Sequence, residues 1–426
     1  MAETILAMGA VYFLAHLLAI TFDRTRLPDV LVLMIIGIIA GPVLHWITPA
    51  SFGSAGHVLT TIALAVILFE SGTTLDLREI GRSARSTLQV TLTTVFVTVG
   101  LVAVGAHFAL GLSWMGAFLI GTIVCGTSPA VVIPMVKSLK VRERASTLLI
   151  LESALADVAS IVLTFALVQA AQQGEVRVGL MVGQTVSSLV FAVAIGLAGG
   201  VGWLLVWERV RQLPSTIFTT LAGAFILYGT AELLGFAGAI AVMAFGVTLT
   251  NHQHFGLSKF LAGRSLTGVT PTESDFYLEI VFLLKTFFFV YLGISMQADN
   301  PTLLGVAVAL TLLVYLGRFV IAARLTPAAA TRREATIIAI MVPKGLAAAV
   351  LAGLPLEAGI ADGELIQSVV YGIVLVSIVL TALLVAVRDV APFRPFFGRL
   401  MSRFPTATSD TTPGGTPLTG MPTVSS

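Results

Sequence analysis

Charge is what this chain has least of. Its 426 residues include 24 Lys and Arg and 22 Asp and Glu, which makes 11% charged, less than half the roughly 25% of a soluble globular protein. That shortage excludes an ordinary soluble fold. With 57% hydrophobic residues and a mean hydropathy of +0.99, the chain reads as a polytopic membrane protein whose partner is the lipid bilayer. A net charge of +2 gives no basis for binding nucleic acid. The single cysteine, Cys125, excludes an intramolecular disulfide framework. The six histidines lie near span ends or in loops and carry no site, and no cofactor is expected. His-Glu-x-x-His and Gly-x-Ser-x-Gly are both missing, which argues against an intramembrane enzyme. No filter of repeated carbonyl rings is visible, which argues against a channel. The N-terminus reads Met-Ala-Glu-Thr and leads into a long apolar stretch, so no cleaved signal peptide is expected.

What is present is a series of apolar runs separated by charged or Gly/Pro-marked breaks. They predict an all-α membrane protein of about thirteen spans: residues 4–22, 29–47, 57–75, 87–110, 114–136, 145–172, 180–207, 215–234, 237–250, 274–297, 302–323, 334–355 and 365–387. Loops after odd-numbered spans, with the C-terminal segment, hold 20 of the 24 Lys and Arg. Cytoplasmic loops collect such charges, so the N-terminus is expected outside and the C-terminus in the cytoplasm of a plasma or prokaryotic inner membrane. Residues 404–426 turn to Pro, Thr, Ser and Gly and predict a disordered tail behind a transmembrane unit of residues 1–403.

Thirteen spans divide into two six-helix halves of opposite orientation, residues 4–172 and 215–387, joined by a linking helix at 180–207. The fifth helix of the first half carries Gly121, Gly126, Pro129 and Pro134, and the fifth of the second carries Pro343 and Gly345. Helix breakers at matching places point to a transport site, because unwound backbone is tolerated in a membrane only where it lines a cavity.

A charge at the bilayer centre costs at least roughly 2.5–3.5 kcal/mol, so those within spans need partners or a function. They are Glu70, Glu152, Asp157, Lys285, Arg318 and Lys344. Ser153, Asp157, Ser160 and Thr164 recur at helical spacing and form one stripe of oxygens around a carboxylate. Hydroxyls, freed carbonyls and a carboxylate suit a hard monovalent cation. Protonation would cancel the charge, so one site that holds either a proton or a cation suffices for exchange if access alternates. Thr127 and Ser128 add hydroxyls beside Pro129, and Glu70 is a third carboxylate within reach of the same cavity. Three buried cations face three buried carboxylates, so charge pairing among Glu152, Arg318, Lys285 and Lys344 offsets much of the insertion cost. Arg318 is a permanent cation suited to bracing a carboxylate, while Lys285 and Lys344 can also lose a proton.

Leu68-Phe69-Glu70 with Gly72 and Leu75, Gly126-Thr127-Ser128-Pro129, Glu152-Ser153 with Asp157, Ala231-Glu232-Leu233-Leu234-Gly235 with Gly238, Tyr291-Leu292-Gly293 and Lys344-Gly345 occur in that order. In these segments the chain resembles the monovalent cation:proton antiporters, NhaP-like branch. The resemblance implies broken helices that cross at mid-membrane, a homodimer, and elevator-like exchange of Na+ or a similar ion for H+. It makes Asp157 the carrier, with Ser153, the Thr127 backbone and Glu70 as ligands or supports, and implies a Glu152 to Arg318 bridge. Ala156 stands where the family has Asn or a second Asp, Ser128 where an Asp is frequent, Lys285 where a neutral polar residue is frequent, and Lys344 where Arg is common. Na+, K+ and Li+ therefore all stay open. A same-fold transporter of another solute and a non-transporting ion or pH sensor are the alternatives.

Overall fold

A computed structural model describes residues 6, 9–17, 29–75, 77–139, 141–172, 178–210, 218–253, 268–296, 300–326, 330–388 and 394–405. Of the tail expected from residue 404, residues 406–426 lie outside them, as do both ends of the first span and the loop charges Arg24, Arg26, Lys140, Arg177, Arg211, Lys259 and Arg264. Phe404, by contrast, is buried and the Pro405 carbonyl accepts the Arg332 amide at 2.9 Å, so these two residues pack on the transmembrane unit rather than open the tail. Among the described residues every regular element is helical.

After an N-terminal helical stretch at 9–17 come α1 (Asp29–Ile38), α2 (Gly53–Thr74), α3 (Leu77–Leu110), α4 (Trp114–Ile123), α5 (Pro129–Ser138), α6 (Glu143–Gln172) and α7 (Val178–Val210). Then follow α8 (Thr219–Leu233), α9 (Gly238–Asn251), α10 (Pro271–Ile294), α11 (Pro301–Leu325), α12 (Arg332–Ile340), α13 (Leu346–Leu351), α14 (Leu354–Glu357), α15 (Gly363–Val387) and α16 (Arg394–Leu400). Local chemistry sets many of these ends. Thr270 and Glu273 cap α10 reciprocally, and Thr331 and Glu334 do the same for α12. Asn300 accepts from the first amides of α11, with Pro301 behind it.

Five segments, Thr87–Leu110, Ala145–Gln172, Pro271–Ile294, Pro301–Leu325 and Gly363–Val387, are each long and apolar enough to cross a bilayer unaided. Other apolar helices are 10–17 residues long, so the figure of about thirteen crossings remains a reading of the sequence. Shortness has a cause at the spans expected at 114–136 and 334–355: each is two helices with an unwound segment between. On α11 the residues Leu304, Val308, Leu312, Leu316 and Val320 are exposed, while Ala307, Leu310, Thr311, Val314 and Arg318 are buried. One helix therefore turns an apolar stripe outward and its polar groups inward, the reverse of a soluble protein and the arrangement a bilayer requires.

The helices gather in two groups. In one, α1 packs on α10, and α2 on α9 and α10, with α7 and α8 against α9. Gly37 and Gly293 sit where α1 and α10 cross, and a Cβ on either would lie 2.9 Å from the other's Cα, so only glycine permits that approach. In the other, α3 packs on α4, α6 and α11, and α11 on α12 and α15. The two unwound segments lie in this second group.

Candidate ion-binding site

Ending a helix at Ile123 frees carbonyls that a continuing helix would satisfy. The structure accounts for most of them. Ser160 Oγ of α6 lies 2.7 Å from the Thr122 carbonyl and 3.0 Å from that of Ile123. Thr164 Oγ1 donates to Thr122 Oγ1 at 3.2 Å, and the Cys125 thiol to the Thr122 carbonyl at 3.1 Å. The other break meets this one directly. The Ser128 amide donates to the Pro343 carbonyl at 2.9 Å, and Lys344 Nζ to the Gly126 carbonyl at 2.9 Å. The Ser128 side chain packs on Gly345, where a Cβ would collide with it. Among the described hydrogen bonds the Thr127 carbonyl receives no donor.

Asp157 faces this crossing from α6. It is half-buried, and a Cβ at Gly126 would come within 2.5 Å of its Oδ1 and 3.2 Å of the Ser160 Cβ. The carboxylate and the unwound chain are thus in direct contact because residue 126 has no side chain. One turn before Asp157, Ser153 is buried and donates to the Ile150 carbonyl at 2.9 Å, leaving its oxygen lone pairs available. Asp157 thus lies against the unwound chain, with Ser153 one turn before it and the Lys344 ammonium bonded to the Gly126 carbonyl. A methyl group at this contact must displace the carboxylate. Gly126→Ala is expected to weaken binding of a cation at this carboxylate about tenfold, read from a cation titration of the purified protein.

A second buried group ties the framework. Arg318 of α11 grips Glu152 of α6 through two contacts, Nη1 to Oε1 and Nη2 to Oε2, the latter at 2.6 Å. Arg318 Nη1 also donates to Thr94 Oγ1 at 2.8 Å, and Nε donates to the Ile338 carbonyl at 3.0 Å. Thr94 donates in turn to Glu152 at 3.3 Å. Both charged residues are 3% exposed, so the charge that neither could carry alone at this depth is offset within the group. The Ile338 carbonyl lies near the end of α12, so Arg318 also holds the edge of the second break.

Comparison with known proteins decides the family. Residues 9–386 match the family described as sodium/hydrogen exchanger, transmembrane. The chain belongs to that family. A relative is the K(+)/H(+) antiporter NhaP2 of Shewanella sp. (strain ANA-3), 24% identical over 369 residues, covering 85% of this chain and 62% of that protein. The Na(+)/H(+)-K(+) antiporter GerN of Bacillus cereus is 26% identical over 366 residues, covering 84% of this chain and 89% of GerN. The chain thus spans about 62% of the length of the NhaP2 relative. Among solved structures, that of the sodium proton antiporter MjNhaP1 from Methanocaldococcus jannaschii at pH 8 superposes with a TM-score of 0.69 at 20% identity, over 89% of this chain and 99% of that one. The exchanger fold, with broken helices that cross, is therefore the fold of this multi-pass membrane protein.

Within the exchanger fold the expected residues divide. Thr127, Ser128 and Lys344 lie in the two unwound segments, Asp157 touches the first of them at Gly126 with Ser153 one turn before it, and Glu152 and Arg318 form a bridge. Ser160 and Thr164 share the stripe with Asp157 but spend their hydroxyls on the broken helix. Glu70 is half-buried on α2, which touches α13, and no described hydrogen bond or ion pair joins its carboxylate to Asp157. Lys285 is placed elsewhere, with Nζ 5.2 Å from the Phe282 ring centroid. Phe282 packs edge-on against Tyr12 and His16 of the N-terminal stretch, because α10 turns this face toward residues 9–17. Thr94 went unread. Its signal was a buried threonine stripe on α3, Thr87, Thr91, Thr94 and Thr98, at the same helical spacing as the stripe on α6.

Proposed function

We propose that the chain is a secondary antiporter that exchanges a monovalent cation for protons, with Asp157 alternately protonated and cation-bound. The observation that carries the reading is the half-buried Asp157 carboxylate set against Gly126 of an unwound segment whose Thr127 carbonyl receives no donor among the described hydrogen bonds. A bare cation needs several oxygens to replace its water, and this is the place where a carboxylate, a hydroxyl and backbone oxygens converge without forming a divalent metal's carboxylate cluster. Lys344 lies at the same crossing, where its ammonium adds a positive charge. Net binding of a second cation therefore requires Asp157 ionised, which is what couples the cation to the proton. Na+ is the first candidate. K+ is the second, supported by the relatives named as K(+)/H(+) and Na(+)/H(+)-K(+) antiporters and by Ala156 and Ser128, which leave fewer oxygens around a small ion. Li+ is the third. The N-terminus is read as outside and the C-terminus as cytoplasmic, from the one-sided distribution of Lys and Arg, and the assembly as a homodimer from the family resemblance.

The test is proton movement in proteoliposomes that carry a pH gradient, with Na+, Li+, K+ or choline added in turn. Movement driven by one or more of the alkali cations and absent with choline supports the reading. No response to any cation, from folded protein, would shift it to a transporter of another solute or to a sensor. The shared carboxylate also sets a pH dependence. Proton and cation compete, so in the acidic range each tenfold rise in proton concentration is expected to raise the apparent KM for the cation by up to about tenfold while the maximal rate holds. A maximal rate that falls while KM stays constant would argue for separate sites.

A further inference from the structure

Two serine and threonine pairs occupy matching places in the two halves. Ser160 lies 34 residues after Gly126 and Ser377 lies 34 residues after Pro343, with Thr164 and Thr381 four residues further on. Each pair belongs to the helix that follows its own broken helix, α6 and α15. All four residues are at most 1% exposed. Ser160 Oγ and Thr164 Oγ1 engage the Thr122 carbonyl and hydroxyl. Ser377 Oγ accepts the Lys344 amide at 2.9 Å, and Thr381 Oγ1 lies 2.5 Å from Tyr315 Oη of α11, which also donates to the Ser377 carbonyl at 3.3 Å.

We propose that these are two positioning clamps, one for each unwound segment, which set the spacing of the Gly126 and Thr127 carbonyls from Asp157. The argument is one of polar accounting. A broken helix in a membrane exposes carbonyls and amides that water cannot satisfy, and each left unpaired costs more than a hydrogen bond repays. The first clamp takes up carbonyls at the end of α4. The second takes up an amide between α12 and α13. The two segments touch through Ser128 and Pro343, so loosening either moves the oxygens at the crossing. The contribution to exchange rests on the reading of Asp157 as carrier, whereas the clamps themselves are independent of it.

Cys125 gives a readout that needs no transport. It is the chain's one cysteine, fully buried in the first unwound segment and bonded to the same Thr122 carbonyl as Ser160. In the full chain, Ser160→Ala and Thr164→Val are expected to speed modification of Cys125 by a small maleimide roughly fivefold, with the melting temperature lowered by only a few degrees. Ser377→Ala, on the other segment, is expected to leave that rate within twofold of wild type. In transport, Ser160→Ala and Ser377→Ala are both expected to raise the cation KM roughly three- to tenfold with the maximal rate changed less than twofold. Thr164→Val conserves side-chain volume and keeps the test open if Ser160→Ala does not fold. Labelling rates within twofold of wild type in both α6 variants would overturn the first clamp whether or not the protein transports. Faster labelling that only tracks a large loss of melting temperature would overturn it too. Unchanged KM in a transporting Ser377→Ala protein would overturn the second. A wild-type protein without cation-driven flux would instead overturn the exchange reading and leave the labelling rates to decide the clamps.

Discussion

Arg318→Ala is expected to destabilise the protein by roughly 3–5 kcal/mol, the cost of leaving one partner of a buried ion pair uncompensated. The structure places three losses on this one substitution. Glu152, 3% exposed, loses its counterion. Thr94 loses the donor at 2.8 Å, and the Ile338 carbonyl loses its own at 3.0 Å. Because that carbonyl borders the second break, the damage reaches the crossing as well as the bridge. Arg318→Met combined with Glu152→Leu removes both charges at similar volume, and most of the stability is expected to return, since a buried pair contributes little beyond matched apolar residues. The Ile338 carbonyl still lacks a donor in the double variant, so a deficit of about 1–3 kcal/mol remains. Thermal unfolding of the purified protein in detergent measures both. A double variant no more stable than Arg318→Ala would mean that the pair does more than cancel charge.

Asp157→Asn is expected to reduce cation-driven proton flux by about a thousandfold, to background, while the protein stays folded. Asn has nearly the shape of Asp but neither titrates nor carries charge. An ionised carboxylate about 4 Å from a cation at an effective dielectric constant of about 20 supplies about 4 kcal/mol, which is close to three powers of ten in affinity. Lys344 keeps its bond to the Gly126 carbonyl in the variant, so the crossing retains a polar tie. Flux in proteoliposomes, with unfolding temperature as the control, separates loss of exchange from loss of fold.

Much of the fold was legible because membrane helices announce themselves by length and apolarity, and their breaks by Gly and Pro. Gly126 with Pro129 and Pro343 with Gly345 mark both unwound segments to within a few residues of where helix ends at Ile123 and Ile340. The bridge from Glu152 to Arg318 came from family resemblance, since nothing in their separation of 166 residues shows that they meet. Periodicity located the oxygen stripe on α6 but not the use of each hydroxyl. Ser160 points to the same side as Asp157, yet its hydrogen goes to carbonyls that exist as acceptors only because α4 stops. The same limit hid Ser377, whose partner is the Lys344 amide. Lys285 reads as a buried charge in any window of sequence, and the packing of α10 against residues 9–17 places it beside Phe282. Lys344 read as a cation in search of a carboxylate, whereas its ammonium donates to a backbone oxygen that the first break makes available.

The account stands on one carboxylate that holds either a proton or a cation. Proton release on cation addition measures that directly: purified protein in weakly buffered detergent, titrated with Na+, K+ or Li+ while pH is recorded, with Asp157→Asn alongside. The account predicts up to one proton released for each cation bound in the wild type, and none in the variant. Saturable cation binding without proton release, or release undiminished in Asp157→Asn, would contradict it.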